Sequence, residues 1–354
     1  MSEQLTIALD AMGGDNAPAI VVKGADLARR RFPDVRFLMF GDENRIRSLM
    51  KRRKRLSEIT EITHTEDAVS NDMKVSVALR KGRNSSMQLA INAVRDGLAN
   101  GVVSAGNTGA LMAMAKVTLR TLPGIERPAI AAIFPTMRGE SVMLDLGANV
   151  ECDAENLVQF AIMGDVFARA VLGSVQPSCA LLNVGSEEMK GHAEIQQAAA
   201  FLRQMSDTIN FMGFVEGDDI AAGTADVVVS DGFTGNVALK TTEGTARLIK
   251  EFLGEAFRSS FAARLGFLLA SRGLRKMRAR IDPRRYNGAM FVGLAGIAVK
   301  SHGGTDAFGF ANAIGVAVDM AANGFNERII QGLKAFGDFG PSAIVGAQAE
   351  AAAS

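Results

Sequence analysis

Residues Leu5–Pro18 read LTIALDAMGGDNAP. A short apolar run, Leu5–Leu9, leads directly into Asp10, then two adjacent glycines, a second aspartate, an asparagine and a proline. Two neighbouring glycines permit backbone conformations closed to other residues and let a ligand approach the main chain. In open α/β sheets, ligands bind at the carboxyl ends of the strands. We therefore interpret the stretch as a strand that ends in the wall of a binding site.

Composition and charge restrict the class of protein. The chain has 354 residues, enough for a substantial core, and its 39 lysines and arginines nearly balance 38 aspartates and glutamates. The net charge of +1 gives no indication of nucleic acid or of a strongly acidic partner. The absence of tryptophan and the single tyrosine are atypical of a surface that stacks bases. We expect no nucleic-acid partner.

The cysteines and histidines indicate a reducing compartment and no metal site. Cys152 and Cys179 form no CxxC pair, and the three histidines, His64, His192 and His302, lie far apart without ligand-like spacing. The first residues, MSEQ, lack the features of a secretory signal, and no apolar stretch is long enough to span a membrane. We expect a cytoplasmic protein without a cofactor.

Short apolar runs alternate with longer helical patterns, which predicts a three-layer α/β/α fold with a largely parallel, doubly wound sheet. The predicted strands are Thr6–Leu9, Arg36–Phe40, Gly101–Ser104, Ile130–Phe134, Val142–Leu146, Ala180–Val184, Asp226–Ser230 and Gly296–Lys300. The predicted helices are Ala17–Arg31, Met87–Asn100, Gly109–Thr121, Ala154–Leu172, Ala193–Ser206 and Asn236–Phe257. No linker or repeat divides the chain, so we expect residues 1–354 to form one unit, with two lobes sharing a cleft as the alternative.

Residues 247–280 differ from this pattern. Apolar side chains recur at four-residue spacing, which predicts that they share one helical face: Leu253, Phe257, Phe261 and Leu265, followed by Leu268. Basic residues follow closely: Arg272, Arg275, Lys276, Arg278 and Arg280. An amphipathic helix of this kind can lie on an anionic membrane. A helical pair packed within the protein or across a dimer is the equal alternative.

Four further stretches repeat the arrangement of the opening one. Each has a strand pattern, then glycine with Asn, Asp, Ser or Thr, then a helix start: SAGNTGA at 104–110, LDLGANVECDAENL at 144–157, LLNVGSEEMKGH at 181–192 and VVVSDGFTGNVALK at 227–240. Backbone N–H groups in such turns and the positive ends of helices favour anions, phosphate above all. The same residues also serve as ordinary turns and caps, so the prediction rests on five such stretches together.

Cationic side chains lie beside several of these turns. They are Lys81 and Arg83 in RKGRNSSM, Lys190 after GSEEM, Lys240 after GFTGNVAL, and Lys300 with His302 in VKSHGG. An isolated lysine is most often a solvated surface group, but a lysine next to a glycine-rich turn is a candidate anion ligand. Ser85 and Ser86 can add hydroxyl donors or can simply cap a helix.

Phosphate itself is the nucleophile that these features favour. The chain has no GxxxxGK[ST] loop, no GxGxxG with its acidic partner and no GxSxG elbow, and the scattered histidines form no triad pattern. Cys152 is interpreted as a buried structural thiol, with a nucleophilic role as the minor alternative. Anionic phosphate needs positioning more than deprotonation, and an activated acyl group such as a thioester is the matching electrophile. Backbone N–H, Asn or Lys groups can stabilise the oxyanion, and a cation or proton donor can assist the departing thiolate.

The motifs as a set resemble one family, the bacterial phosphate acyltransferases of phospholipid synthesis (acyl-ACP:phosphate acyltransferases). The resemblance runs in order from about Ile7 to Ile314 through ALDAMGGDNAP, RKGRNSSM, SAGNTGALMA, RPAIAAIFPT, LDLGANVECDAENLVQFAIMG, LLNVGSEEMKGH, DVVVSDGFTGNVALKTTEG and GLAGIAVKSHGGTDAFGFANAI. DAMGGD followed by DGFTGNVALK is the most specific combination. Family members often carry GEEE at 185–188 and AHGSSD at 301–306, where this chain has GSEE and SHGGTD.

The resemblance implies the reaction and its partners. A fatty acyl group would pass from acyl carrier protein (acyl-ACP) to inorganic phosphate, and the acyl phosphate would go to a membrane-bound glycerol-3-phosphate acyltransferase. The resemblance also implies a homodimer, a fold like isopropylmalate dehydrogenase and phosphotransacetylase, and peripheral attachment to an anionic membrane surface. A dehydrogenase of the same fold and a non-catalytic carrier-protein or membrane adaptor are the alternatives.

Together these observations predict four groups of functional residues. We expect phosphate at Gly13, Gly14, Lys81, Ser85, Ser86, Asn107, Thr108 and Lys240. We expect four residues to stabilise the oxyanion or the departing thiolate: Lys190, Lys300, His302 and Asn236. We expect four aspartates to orient the cations and cap turns: Asp10, Asp15, Asp145 and Asp231. The alternative is that a pair of these carboxylates holds a divalent metal. Membrane contact is expected at Phe257, Phe261, Leu265 and Leu268.

Overall fold

The computed structural model describes residues 4–280 and 282–337. The described residues form eleven strands: β1 (Thr6–Asp10), β2 (Arg36–Gly41), β3 (Thr60–His64), β4 (Gly101–Ser104), β5 (Ala129–Pro135), β6 (Glu140–Leu144), β7 (Ser178–Leu182), β8 (Asn210–Val215), β9 (Val227–Val229), β10 (Ala289–Val292) and β11 (Ile297–Lys300). They belong to one sheet with the order β3-β2-β1-β4-β11-β10-β5-β6-β9-β7-β8.

Helices cover both faces of this sheet. In the described part of the chain they are α1 (Ala19–Arg31), α2 (Glu43–Met50), α3 (Lys54–Glu58), α4 (Val75–Lys81), α5 (Ser86–Arg95), α6 (Thr108–Leu119), α7 (Ala154–Val171), α8 (Ala193–Gln204), α9 (Gly217–Ala222), α10 (Gly232–Arg258), α11 (Phe261–Arg280), α12 (Ala307–Ala322) and α13 (Phe325–Gly337). Several begin where a polar side chain accepts a backbone N–H bond, as Ser85, Asn107, Asp153 and Asp231 do.

Strand direction divides the sheet into two halves. β3, β2, β1, β4 and β11 run parallel to one another, and so do β6, β9, β7 and β8. Between them, β10 pairs antiparallel with both β11 and β5, and β5 pairs antiparallel with β6. Three reversals mean that the two halves point in opposite directions. The loops that follow their strands therefore leave at opposite edges of the sheet.

The core differs between the two faces. One face carries a single large cluster that includes Val21 of α1, Phe160 of α7 and Phe310 of α12. The other face carries two separate clusters, one beneath α5 and α6 and one beneath the start of α10. Ile130 of β5 is half-buried and packs against both clusters, and Ala132 beside it is also half-buried. We call this strip of β5 the central groove.

The sequence-based prediction of a largely parallel, doubly wound α/β/α fold is confirmed. All eight predicted strands and all six predicted helices are present, with ends shifted by a few residues. The prediction missed β3, β8 and β10, as well as α2, α3, α4, α9, α12 and α13. β10 is only four residues long, and α12 is apolar on nearly all sides because it is buried, so neither shows the expected periodicity.

The predicted amphipathic segment is a pair of helices, α10 and α11, which we call the helical hairpin. The prediction that its apolar residues share one helical face is wrong, because the chain turns at Ser259 and Ser260 and divides them between two helices. The ring of Phe257 packs edge-on against Phe267, with 5.2 Å between centroids. Phe261, in contrast, is 84% exposed. No helix in the described residues is long and apolar enough to cross a membrane.

Candidate active site

Two crevices arise where neighbouring strands send their helices to opposite faces, the usual place for ligands in open α/β sheets. β1 is followed by α1 on the face with the large cluster, and β4 by α6 on the other face. β7 and β9 behave likewise, because α8 packs into the large cluster and α10 against the opposite face. We call the space at the ends of β1 and β4 the first crevice. The space at the ends of β7 and β9 is the second crevice.

A buried carboxylate organises the first crevice. Asp10 ends β1 and accepts hydroxyl hydrogen bonds from Ser86 and Ser104, both at 2.6 Å. Burial raises the pKa of Asp10, and these hydrogen bonds act in the opposite direction. Asp10 thus ties β1 to β4 and α5. Ser104 was not among the predicted site residues, although it ends β4 just as Asp10 ends β1.

The glycine pair forms a wall of the first crevice. A Cβ on Gly13 would lie 2.4 Å from Oδ2 of Asp10, and Gly14 has a φ of +101°, so only glycine fits this path. The backbone N–H of Asp15 then donates to the carbonyl of Gly303 at 3.0 Å. The loop after β1 is therefore joined to the loop after β11. This close approach of main chains explains the unusual composition of the opening stretch.

Lys300 supplies the positive charge of the first crevice. It ends β11 and is half-buried, and its Nζ donates to the carbonyl oxygens of Ser301 and, at 3.5 Å, of Ala105. Burial lowers the pKa of Lys300 to about 8, while the charges of Asp10 and Asp15 limit the shift. A lysine with this pKa can hold an anion when protonated and can also exchange a proton near neutral pH.

The start of α6 faces the same crevice. Asn107 caps α6 by accepting the N–H of Ala110 at 3.0 Å, and its Nδ2 donates to the carbonyls of Asn71 and Met73. The cap is a neutral amide, so no cap carboxylate offsets the positive end of the helix. Thr108 is the exposed first residue of α6. The side chain of Asn71, which no motif indicated, donates to Asp15 at 2.7 Å.

The RKGRNSSM residues do not all face this crevice. Ser85 donates to the carbonyl of Gly82 at 2.6 Å and caps α5, while Ser86 is bound to Asp10. Both hydroxyl hydrogens are used within the fold, so the predicted phosphate contacts would require them to reorient. Lys81 is exposed at the end of α4.

His302 lies next to Lys300 in the loop after β11. Its backbone N–H donates to Oδ1 of Asn287 at 2.9 Å, and its Nδ1 accepts from the N–H of Gly304 at 3.2 Å. The side chain is exposed. His302 therefore belongs to the rim of the first crevice.

The second crevice is held by another buried carboxylate. Asp145 directly follows β6 and accepts backbone N–H bonds from Ile130 at 2.9 Å, Ala148 at 3.0 Å and Asn149 at 2.7 Å. Burial raises the pKa of Asp145, and these bonds act against that rise. Asp145 therefore fixes the turn around Gly147.

The first turn of α10 is seated on this Asp145 turn. Asp231 caps α10 by accepting the N–H of Thr234 at 2.8 Å, and the N–H of Gly232 donates to the carbonyl of Asn149 at 2.7 Å. Asn236 is exposed and lies beside Gly147, with its own Cβ 3.5 Å from where a Cβ on that glycine would be.

Two predicted cations are already paired. Lys240 lies about 12 Å along the axis of α10 from Gly232 and forms an exposed ion pair with Glu243 at 2.9 Å. Lys240 therefore lies about two helical turns beyond the start of α10. Lys190, in the loop after β7, pairs with Glu187 at 2.7 Å, and this hydrogen bond raises the pKa of Lys190.

The structure places the predicted residues in two sets. Three strand spacings separate Lys300 from Asp145 across the sheet, and two residues separate them along the strands. The distance between the two residues is therefore roughly 16 Å. The first set is Asp10, Gly13, Gly14, Asp15, Ser86, Asn107, Thr108, Lys300 and His302. The second is Asp145, Lys190, Asp231 and Asn236. The central groove lies between them.

No group of three or more His, Cys, Asp and Glu side chains that could hold a metal occurs in the described residues. Of the four aspartates considered for a metal, Asp10 and Asp15 lie in the first crevice and Asp145 and Asp231 in the second. Asp10 and Asp145 have their oxygens occupied by donors from the chain itself. These carboxylates hold turns and hydroxyl groups together.

The sheet and its two strand-end crevices define a doubly wound α/β protein. Residues 5–328 match the family model described as fatty acid synthesis protein. Relatives named phosphate acyltransferase, from Rhodospirillum centenum and Rhodospirillum rubrum, are 66% and 62% identical over 329 residues; the alignments cover 93% of this chain and 93% and 94% of the relatives. The chain belongs to this family of phosphate acyltransferases, as its motifs predicted, and is an acyltransferase of fatty acid and phospholipid synthesis.

Solved structures show the same fold. A phosphotransacetylase from Streptococcus pyogenes superposes with a TM-score of 0.62 at 18% identity, covering 91% of this chain and 95% of that one. The EutD phosphotransacetylase from Staphylococcus aureus gives 0.59 at 17% identity, with 90% and 94% covered.

Proposed function

We propose that this chain transfers a fatty acyl group from acyl-ACP to inorganic phosphate by direct attack of phosphate on the thioester. The observation that carries this proposal is Lys300, a half-buried lysine with a pKa of about 8, whose Nζ donates at 3.5 Å to the carbonyl of Ala105, the residue on which Gly14 packs and which lies two positions before the uncharged cap of α6. Phosphate is the anion that such an arrangement of backbone N–H groups, helix start and lysine favours.

The thioester approaches from the other side of the central groove. Asn236 stands exposed at the start of α10, above the Asp145 turn, and can donate to the oxyanion. Lys190 can reach the same anion when it leaves Glu187, since both side chains are exposed. His302 and Lys240 line the approach of phosphate. The apolar floor of the groove, Ile130 and Ala132, suits the first methylenes of the acyl chain.

The chemical step conserves atoms and charge. An oxygen of hydrogen phosphate forms a bond to the thioester carbonyl carbon, and the carbon–sulfur bond then breaks with its electron pair on sulfur. The proton of the phosphate passes to the departing thiolate, and Lys300 can relay it because both of its protonation states are accessible near neutral pH. The products are acyl phosphate and the free thiol of the carrier protein.

We also propose a homodimer that attaches peripherally to anionic membranes through the helical hairpin. Its exposed apolar side chains, among them Phe261, Leu265 and Leu268, support this assignment. An acyl phosphate is amphiphilic and labile. Release next to a membrane-bound glycerol-3-phosphate acyltransferase would limit its loss to water.

The deciding experiment incubates the purified protein with acyl-ACP and inorganic phosphate and traps acyl phosphate as the hydroxamate. Formation of acyl phosphate that depends on both substrates supports the proposal, and Lys300→Met should abolish it. If wild-type protein forms none, the proposed reaction is wrong. Titration with nicotinamide cofactors tests the dehydrogenase alternative directly.

A further inference from the structure

The loop after β11, residues 301–306, forms one side of the first crevice, and we call it the crevice loop. The Nζ of Lys300, directly before this loop, donates to the carbonyl oxygen of Ser301, its first residue. The carbonyl oxygen of Gly303 accepts the backbone N–H of Asp15 at 3.0 Å. The path of the crevice loop therefore fixes where the charge of Lys300 lies and how the loops after β1 and β11 meet.

The crevice loop depends on support from other parts of the chain. Its centre is a pair of glycines, Gly303 and Gly304, the residue type with the greatest backbone freedom. Within the loop, the N–H of Thr305 donates to the carbonyl of His302 at 3.1 Å, and the N–H of Gly304 donates to Nδ1 of His302 at 3.2 Å. These local bonds close a turn but do not hold that turn against the sheet.

A buried amide supplies such support. Asn287 lies two residues before β10 and is 8% exposed. Its Oδ1 accepts the backbone N–H of His302 at 2.9 Å, and its Nδ2 donates to Oγ of Ser301 at 2.8 Å. The same Nδ2 donates to the carbonyl oxygen of Gly309, in the first turn of α12, at 2.8 Å. One side chain thus holds the first two residues of the crevice loop to the start of α12.

These bonds also decide how Asn287 can act. Both hydrogens of its amide are donated within the fold, so the amide has none to give to phosphate. Without it, the N–H of His302 would lose its acceptor in a half-buried place, which is costly. The crevice loop would then shift relative to the Nζ of Lys300. Asn287 can therefore affect an anion only through the crevice loop.

We propose that Asn287 is a positioning residue of the phosphate site, which holds the crevice loop so that Lys300 and His302 face the anion. The inference rests on the proposed function for the reaction that consumes this anion. Asn236, on the other side of the central groove, shares none of the bonds of Asn287 described above. The effect of Asn287 is therefore on phosphate and not on the acyl donor.

The test uses the full-length protein in two measurements, calorimetric titration with inorganic phosphate and the acyl phosphate assay. Asn287→Ala should raise the Kd and the KM for phosphate about tenfold, the equivalent of one hydrogen bond to the anion, and keep the KM for acyl-ACP within about twofold. A purely structural role would reduce the amount of folded protein, and with it the apparent kcat, and would leave both KM values unchanged.

Asn312→Ala is the matched control. Asn312 lies one turn beyond Gly309 on α12, and its Nδ2 donates to the carbonyl oxygen of Arg284 at 2.8 Å. It therefore joins α12 to the segment that carries Asn287, through the same kind of bond, but this bond does not involve the crevice loop. Asn312→Ala should leave the Kd for phosphate as in wild type.

Ser301→Ala decides the question if Asn287→Ala does not fold. It removes the hydroxyl that accepts from Asn287 and keeps the backbone bonds of the loop, so it should raise the Kd for phosphate about threefold. Unchanged phosphate affinity in folded Asn287→Ala, or in Ser301→Ala where the first variant does not fold, would overturn the inference, as would an equal loss in Asn312→Ala.

The two measurements separate this inference from the proposed function. If wild type binds phosphate but forms no acyl phosphate, the proposed function fails, and the titration still decides the role of Asn287. If wild type transfers acyl groups and Asn287→Ala binds phosphate normally, the inference alone fails. If wild type binds no phosphate, both are wrong.

Discussion

Gly235, in the first turn of α10, packs directly on the carbonyl oxygen of Asp145, so a Cβ at this position would lie 1.9 Å from that oxygen. The same Cβ would lie 2.7 Å from Oγ of Ser230. This contact sets the height of α10 above the sheet. It therefore also sets the position of Asn236, the next residue. It also explains why the DGFTGN stretch requires glycine at its fifth position.

Gly235→Ala should therefore push α10 away from the Asp145 turn. We expect a loss of about 1–3 kcal/mol in the free energy of unfolding, as for overpacked sites, together with loss of acyl transfer. Denaturant unfolding and the acyl phosphate assay measure the two effects. Gly244→Ala is the control on the same helix: nothing lies within 4 Å of its Cβ, so it should gain about 0.5–1 kcal/mol from helix propensity and keep activity.

Lys300→Met should abolish acyl transfer while making the protein more stable at neutral pH. The folded-state pKa of Lys300, about 8, lies below its ordinary value of 10.5, so folding disfavours the charged form. That cost, up to about 3 kcal/mol, is fully present below pH 8 and disappears as pH rises through 10.5. Urea unfolding at pH 7 and at pH 10.5 tests the sign. A variant that is less stable than wild type at pH 7 would show that Lys300 is a structural residue.

Asp10→Asn should shift the alkaline limb of the pH–rate profile to lower pH. The carboxylate of Asp10 opposes the lowering of the Lys300 pKa, and its charge is the largest such contribution, so its loss lowers that pKa further. If protonated Lys300 is the active form, kcat/KM then falls at a lower pH than in wild type. Asp15→Asn should give a smaller shift in the same direction, and Asp96→Asn, at an exposed ion pair, should give none. If the alkaline limb of the Asp10→Asn profile is not shifted, a group other than Lys300 is responsible for that limb.

Replacing both cysteines, Cys152→Ser with Cys179→Ala, should leave turnover within about twofold of wild type. Burial raises the pKa of Cys152 to about 12 and also raises that of Cys179, so neither thiol is ionised at neutral pH and neither is an activated nucleophile. Mass spectrometry of the wild-type enzyme during turnover should find no acylated protein. A trapped acyl-enzyme, or loss of turnover in a folded variant, would replace direct attack by a two-step mechanism.

Local sequence signals predicted the strand-end turns well. Glycine is needed at positions 13 and 14 because other side chains do not tolerate this backbone path. Helix caps require a side-chain acceptor, which Asn107 and Asp231 supply. The reversal of strand direction at β10 and β5 could not be predicted in the same way. The pairs β5–β6 and β10–β11 are local hairpins, but the placement of β10 beside β5 depends on pairing between segments more than a hundred residues apart, such as Met290 with Ala131.

The same limit applies to the site. Sequence placed Lys240 near the turn before α10, but the length of that helix carries it about 12 Å away. The sequence left Ser85 and Ser86 as phosphate ligands or as a helix cap; in the structure Ser85 caps α5, and the hydroxyl of Ser86 donates to Asp10, which is 76 residues away in the chain.

The helical hairpin presents an exposed aromatic ring at its turn. Phe261 begins α11 and is 84% exposed, so Phe261→Glu should leave the fold intact, and it should release the protein from anionic vesicles because a carboxylate replaces an inserted ring near basic residues. An inserted phenylalanine contributes on the order of 1.5–3 kcal/mol, which corresponds to at least a tenfold loss of vesicle affinity in flotation assays. Acyl transfer in solution should remain. Val117→Glu, at a 69% exposed position on α6, is the control and should bind vesicles like wild type. If Phe261→Glu instead dissociates a dimer and loses activity in solution, the hairpin is a contact between two copies of the chain and not a membrane anchor.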